Sequence, residues 1–435
     1  MRNIYYLITL SFLFWSFGLE AQNVVAITKT EALIKVSEHN VSLKISAEEF
    51  KQARADYRQT NAVFLPNITA SHTGMATTNP LMAFGSKVNQ EILTANDFNP
   101  ALLNDPSQIE NFETKLEIQQ PLLNFDGFYQ RKAAKSKMDA MSLQTQRTSE
   151  YLEFEVDKAY MQLQLAYKGV AVLEKALEAA NANKKLADNS FNQGYLQRAD
   201  VLNVEVRVTE VQNQLQMAKS NVLNASNYLS FLMNDETDAV YKPTDSLSVS
   251  SPTIEMAMIS ENRSDIKAMA MATDAYKAMS QSDKMAFLPR LNAFGNYFLY
   301  DDEIFQGNSN GYMFGAQLSW DIFQGSKRFG KAQKSRAEFE KSKLEYEQYV
   351  SKSNLEFNKA KRTFTDAENK LNLNTLALAQ SEESLRIRTN RFREGLEKTS
   401  DLLMAETQYA QKQLEYYQTI FEYNYALAYL QFLTK

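Results

Sequence analysis

One phrase occurs twice in this chain. "FNQGYLQRADVLNVE" at 191–205 returns as "FREGLEKTSDLLMAE" at 392–406, 201 positions later. Aligning 191–233 with 392–434 needs no gap. Phe191, Gly194, Asp200, Leu202, Glu205, Gln212, Ala225, Tyr228, Leu229, Phe231 and Leu232 each meet an identical residue. The echo continues upstream in the same order: "FLPNITA" (64–70) answers "FLPRLNA" (287–293), and "KAAKS" (132–136) answers "KAQKS" (331–335). Ordered self-similarity of this kind marks an internal duplication, so the chain should fold as two copies of one unit. Its 435 residues also exceed one ordinary core.

Periodicity changes twice within each copy. Residues 30–62 and 254–286 are helical in pattern and lead to Pro66 and Pro289. A period-2 stretch follows. In "YMFGAQLSWDI", Tyr312, Phe314, Ala316, Leu318, Trp320 and Ile322 share one face, while Met313, Gly315, Gln317, Ser319 and Asp321 share the other. In "NFETKLEIQQPLL", Phe112, Leu116, Ile118 and Leu122 alternate with Glu113, Lys115, Glu117 and Gln119. Alternation signals strands, and an aromatic-aliphatic face opposite a charged one suits a pore wall with lipid outside and water inside. Each copy offers one hairpin: about 64–76 with 109–123, and about 288–300 with 312–323. The second turns through "DDEIFQGNSNG"; the first carries a long insertion, 77–108, placed by its hairpin at the outer mouth. Insertions of that length are commonly functional or mobile.

Long helices follow. Leu152, Val156, Tyr160, Leu163, Tyr167, Val170, Leu173 and Leu177 recur in steps of three and four, a coiled-coil seam. Roughly 65 residues from Asp126 to Phe191 make a rod near 100 Å, matched by Lys327–Arg391. The shorter helices, 197–233 and 398–434, stacked end to end on those preceding the strands, give staves of equal height. Scarce glycine (13) and proline (8) favour such uninterrupted helices. Gly194 and Gly395 sit where each long helix must turn back, the position where glycine ends a helix in the left-handed conformation. Asp200 and Asp401 then fall in the first turn of the next helix, where negative charge is favoured.

The first 22 residues have Arg2, an apolar run from Ile4 to Leu19 and Ala21 at a cleavage point, the pattern of a signal peptide. The domain expectation is therefore 1–22 signal peptide, 23–233 first repeat, 234–253 a polar strap between repeats, and 254–435 second repeat. Nothing after residue 22 is apolar enough for a membrane helix, so membrane entry must use β-structure. Four strands per chain cannot close a barrel, and open edges in lipid leave backbone groups unsatisfied. Copies must join: two would give eight strands, three would give twelve.

At this point the chain resembles the TolC-like outer-membrane efflux protein family. The resemblance spans the mature chain and rests on the duplication, the "FLP" strand entries, "QQPLLNFDG" with "SWDIFQGSKR", and the G-x5-D-x-L tips. It implies a mixed, mainly α fold with a small β part: long antiparallel coiled-coil helices in an α-barrel, joined to a transmembrane β-barrel completed by oligomerisation. It implies a homotrimer in outer-membrane lipid, extending into the periplasm. Its expected partners are a periplasmic adaptor (membrane fusion protein) and an inner-membrane pump or exporter. The chain would be the passive exit duct of a tripartite efflux pump or type I secretion system. Asp401 matches the family's lumen-facing gate aspartate and Asp200 its acidic partner in the first tip; a second gate aspartate is Met404 here. Phe392 and Glu397 replace a tyrosine and an arginine that help hold the family's closed gate, so its locking bonds do not carry over. Gly194, Tyr195, Leu196, Gly395 and Leu396 are the expected adaptor-docking tips. Lys435 comes directly after the last expected helix, so the long C-terminal belt that the family often has is not expected here.

Other chemistry finds no support in the residues. Cysteine is absent, and His39 and His72 lack metal-ligand spacing. There is no P-loop, G-x-G-x-x-G or H-E-x-x-H, so no cofactor, metal or enzymatic activity is expected. A net charge of −5 disfavours nucleic acid, and the aromatic run at 415–432 fits helix packing instead. The competing expectation is an exported helical structural or adhesive envelope protein without a pore.

Overall fold

The computed structural model describes residues 24–237, 239–251 and 259–435, so the signal peptide expected over 1–22 lies outside the described residues. The chain divides into two compact units. One comprises Glu48–Gln144 and Asp265–Tyr349; the other comprises the residues up to Ala47, Thr145–Ser264 and Val350–Lys435.

The first unit is built on a four-stranded antiparallel sheet. Its strands are β2 (Asn67–Thr77), β3 (Ile109–Leu123), β5 (Arg290–Asp301) and β6 (Ser309–Ser319), in the order β2-β3-β5-β6. Each repeat contributes one hairpin, and β3 with β5 joins them. Register settles the faces. Ile68, Ala70 and Gly74 stand opposite Ile118, Leu116 and Phe112. Leu116 and Ile118 meet Tyr297 and Gly295, which in turn meet Tyr312 and Phe314. Directly opposed residues share a face, so these residues lie on one mainly apolar face of all four strands, with the His72–Thr114 pair among them. The other face carries Ser71, Glu113, Lys115, Glu117, Gln119, Asn296 and Gln317. Among the described residues, strands β2 and β6 keep free edges.

Several details depart from the pattern read in the sequence. Strand β6 stops at Ser319, leaving Trp320 and Ile322 beyond it; the Trp320 indole donates to the Phe287 carbonyl at 3.0 Å. Pro121 cannot donate to the ladder, and the β3–β5 register shifts between Pro121 and Leu123. The insertion between β2 and β3 is folded: helices α3 (Pro80–Asn89) and α4 (Pro100–Asn104) flank a 3-10 turn at Ala95–Phe98. Where the sheet meets its helices, the Arg290 guanidinium donates from Nε to Asp126 at 3.1 Å and from Nη2 at 2.5 Å.

Helical periodicity over 30–62 resolves into α1 (Lys29–His39), α2 (Val41–Gln59) and a short 3-10 turn. The break is at Asn40. Its side-chain amide donates to the Leu232 carbonyl at 2.8 Å, and its carbonyl oxygen accepts from the Leu43 amide, starting the next helix. The second repeat differs more. Its helix α7 (Ser264–Met285) starts ten residues later than the 254 expected, with 252–258 outside the described residues. Arg263 just before it is buried and donates to the Leu433 carbonyl and the Ser353 hydroxyl, which holds the chain out of helical geometry there.

The second unit is mainly helical and takes in the long helices only from Thr145 and Val350 onward, their first turns belonging to the first unit. Helices α5 (Phe125–Asn192) and α6 (Arg198–Met233) form one hairpin; α8 (Lys327–Arg393) and α9 (Thr399–Thr434) form the other. One core cluster gathers Val36, Leu152, Val156, Tyr160, Leu163, Leu229 and Met233. Each such side chain, fully buried, contributes about 1.5–3 kcal/mol. A second cluster gathers Phe364, Leu371, Ile420, Tyr423, Leu427 and Leu430. The aromatic run of α9 packs on Phe154, with ring centroids of Tyr425, Tyr429 and Phe432 at 5.4–5.6 Å. The segment after α6 is fixed by pairing. Strand β4 (Val240–Pro243) runs parallel to β1 (Val24–Ile27), and the Tyr241 amide donates to the Ser226 hydroxyl at 2.8 Å. Further on, Asn424 clasps the backbone at Ser248 and Ser250.

Candidate functional site

The hairpin tips are built alike. After α5, Gly194 takes φ +81°, its amide reaching the Phe191 carbonyl and that of Tyr195 reaching Ser190. After α8, Gly395 takes φ +73°, with Gly395 bonded to Phe392 and Leu396 to Arg391. Both pairs are the Schellman closure, which uses a left-handed glycine to satisfy the last carbonyls of a helix. The repeated phrase is thus a chain reversal, and each reversal pushes one large apolar side chain into the open: Tyr195 is 80% exposed and Leu396 is 67% exposed. Leu196 is half-buried beside them.

The two aspartates have different surroundings. The Asp200 carboxylate accepts from the Gln197 amide at 3.3 Å and so caps its own helix. Asp401 occupies the same helical position but lies 4.0 Å from the Arg388 guanidinium. No contact joins Asp200 to Asp401 among the described residues. Met404 is exposed and lines a groove between α6 and α9 with Val206, Leu403 and Gln408.

Sequence reasoning missed two clusters. In the first, the Glu397 carboxylate is nearly buried and accepts from Arg388 Nη1 and Arg391 Nε, both at 2.7 Å; Arg391 also donates to the Leu396 carbonyl. The departure at Glu397 is therefore balanced by two arginines on its own hairpin. The signal was the basic run "RIRTNRFR", since cations gather at helix C-termini. In the second, Glu406 on α9 hydrogen-bonds Asn183 on α5, with buried Arg207 on α6 nearby. Burial pushes the Glu406 carboxyl up to about 7 against the pull of Arg207 and the Asn183 bond. The repeat alone hides this, because the matching Glu205 is partly exposed and faces Lys184 and Arg198 instead. Among the described residues no group of three or more metal-ligating side chains comes together.

An open amphipathic sheet joined to long helical hairpins with matched glycine reversals defines an outer-membrane channel subunit, with its barrel closed only by oligomerisation. The outer membrane efflux protein family model matches residues 33–235 and 257–434, and the chain belongs to that family. It is an outer-membrane channel that extends into the periplasm, and its family is one of passive channels rather than enzymes. Solved structures share the fold. A Pseudomonas aeruginosa membrane protein superposes with TM-score 0.80 at 18% identity, over 94% of this chain and 93% of that one. The Campylobacter jejuni CmeC outer membrane channel gives 0.80 at 18%, covering 96% and 90%. The Vibrio cholerae outer membrane protein VceC gives 0.79 at 16%, covering 93% and 96%. No curated protein matches the chain in sequence.

Proposed function

We propose that three copies close one twelve-stranded barrel and act as the passive exit duct of a tripartite efflux pump or type I secretion system. The observation that carries this reading is the four-stranded sheet with one mainly apolar face, interrupted by the hydrogen-bonded pair His72 and Thr114, and with two edges left unpaired among the described residues. A lone copy in lipid would leave both edges unsatisfied. Two copies would give eight strands, a size whose interior is filled by its own side chains. Here Phe294, Phe298 and Met313 project on the water-facing side and would plug it. Twelve strands leave a passage.

In this reading the tips form the periplasmic end. Three Asp401 carboxylates around one axis focus a cation-favouring field, and Arg388 at 4.0 Å tempers it. Asp200 keeps to helix capping, and Met404 takes an apolar place one turn beyond Asp401. Tyr195, Leu196 and Leu396, held out by Gly194 and Gly395, are the surface for a periplasmic adaptor that links the duct to an inner-membrane pump or exporter. The duct itself performs no catalysis and uses no cofactor. Leu396→Asp tests the docking part: export should be lost while assembly and membrane insertion stay normal. Export at the unaltered level would refute it.

A further inference from the structure

The insertion between β2 and β3 folds onto one side of the sheet. Gln90, at the end of α3, is buried, and its amide donates to the Glu110 carbonyl, the Asn111 side chain and the Asp301 carbonyl at 2.8–3.2 Å. This pins the helix across the β3–β5 join. Asn111 lies on the water-facing side of β3, as does Ile109, and both are buried, as is Ser309 on the same side. The insertion therefore leans over the lumen side of the rim and not toward lipid. It is also closed on itself: Lys87 bonds Asp97 at 2.7 Å, and that ion pair with the Thr94 bonds holds the Asp97 carboxyl down at about 2.

Ala83 and Ser86 of α3 face inward and are buried. The opposite side presents Leu81, 81% exposed, then Gly85 and Val88, at spacings of four and three that make one stripe. Nothing lies within 4 Å of a side chain built at Gly85, so a second helix could approach closely there. Lipid is ruled out as the cover by the side on which α3 sits. Because α3 is pinned over the β3–β5 join on the lumen side, its outward stripe faces the passage, where the other copies of the chain stand.

We propose that the Leu81–Gly85–Val88 face of α3 meets the same face of neighbouring copies over the outer end of the lumen and closes it with an apolar plug. Rotational symmetry brings identical faces together at the axis, and an apolar constriction excludes water and ions by dewetting. The proposal rests on the oligomeric barrel described above.

The cysteine-free chain offers a clean test. Leu81→Cys and Val88→Cys should each yield disulfide-linked chain pairs under mild oxidation. The native mass of the detergent-solubilised complex should not change. A second readout uses Ser71→Cys on the lumen side, labelled from outside intact cells by a polymer-bearing maleimide too large for porins. Adding Leu81→Ser and Val88→Ser should speed that labelling roughly tenfold, by wetting the constriction. An assembled oligomer with no linked pair from either variant, and unchanged labelling, overturns the plug and leaves the duct standing. A complex that holds only one chain overturns both.

Discussion

Leu116 of the first repeat stands directly opposite Tyr297 of the second, at the antiparallel join between β3 and β5. The ladder it belongs to makes two hairpins into one sheet and puts Leu116, Ile118, Tyr297, Tyr312 and Phe314 on one side. Leu116 is also the central residue of β3. Leu116→Lys should therefore cost about 2–4 kcal/mol as a lipid-facing charge near the bilayer centre. Glu117→Gln, one residue along and on the other face, should cost far less. The temperature at which the oligomer dissociates on heated gels separates the two.

Gly395 adopts φ +73° with no heavy atom near a would-be side chain, so a substitution there meets backbone strain alone. Gly395→Ala should loosen the tip by roughly 1–2 kcal/mol, the left-handed penalty for a residue with a Cβ. Gly194→Ala should do the same to the first tip. Limited proteolysis at the tips should quicken in both variants while the sheet stays intact.

Glu397 is the acceptor for both Arg388 and Arg391. Glu397→Gln leaves the two guanidiniums free to turn to Asp401. Neutralising Asp401 in this way should weaken divalent-cation block of the channel. Asp401→Asn should weaken it at least as much, and the double variant should add little. Block that is equal in all four forms would remove Asp401 from the conduction path.

Glu406 supplies a pH dependence with a definite sign. Its folded value of about 7 lies above the 4.5 of a free glutamate, so the packed tip binds the proton more tightly than the unfolded chain. The contribution to stability is whole below about 4.5 and is lost as pH rises through about 7. After correction for the intrinsic pH dependence of amide exchange, protection around Asn183 and Arg207 in the unmodified protein should be lower above neutral pH than below it. Glu406→Gln, which keeps the neutral form, should flatten that difference.

The sequence carried the architecture because both of its signals are local. Alternation in "NFETKLEIQQPLL" up to Pro121, and in "YMFGAQLSWDI" up to Ser319, reports the sheet faces, and the doubled glycine phrase reports the reversals. Boundaries were less legible where a distant partner decides them. Asn40 breaks a periodic helix for a bond to Leu232, and Arg263 delays α7 for partners on two other helices. The insertion looked like a loop because its turns are short and its anchor is one glutamine, Gln90. At the tips the reversal was visible but the Glu397 and Glu406 clusters were not. Their partners lie several residues away or on other helices, and the repeat offers no second copy of either.

One chain cannot finish its own wall, because its sheet keeps two edges that only other copies can pair. Native mass measurement of the complex extracted from outer membranes in mild detergent tests it most directly. The expected result is a mass of three chains that collapses to one only after heating. A stable, water-soluble species of single-chain mass, with Leu116 and Tyr297 protected from labelling in its own interior, would contradict it.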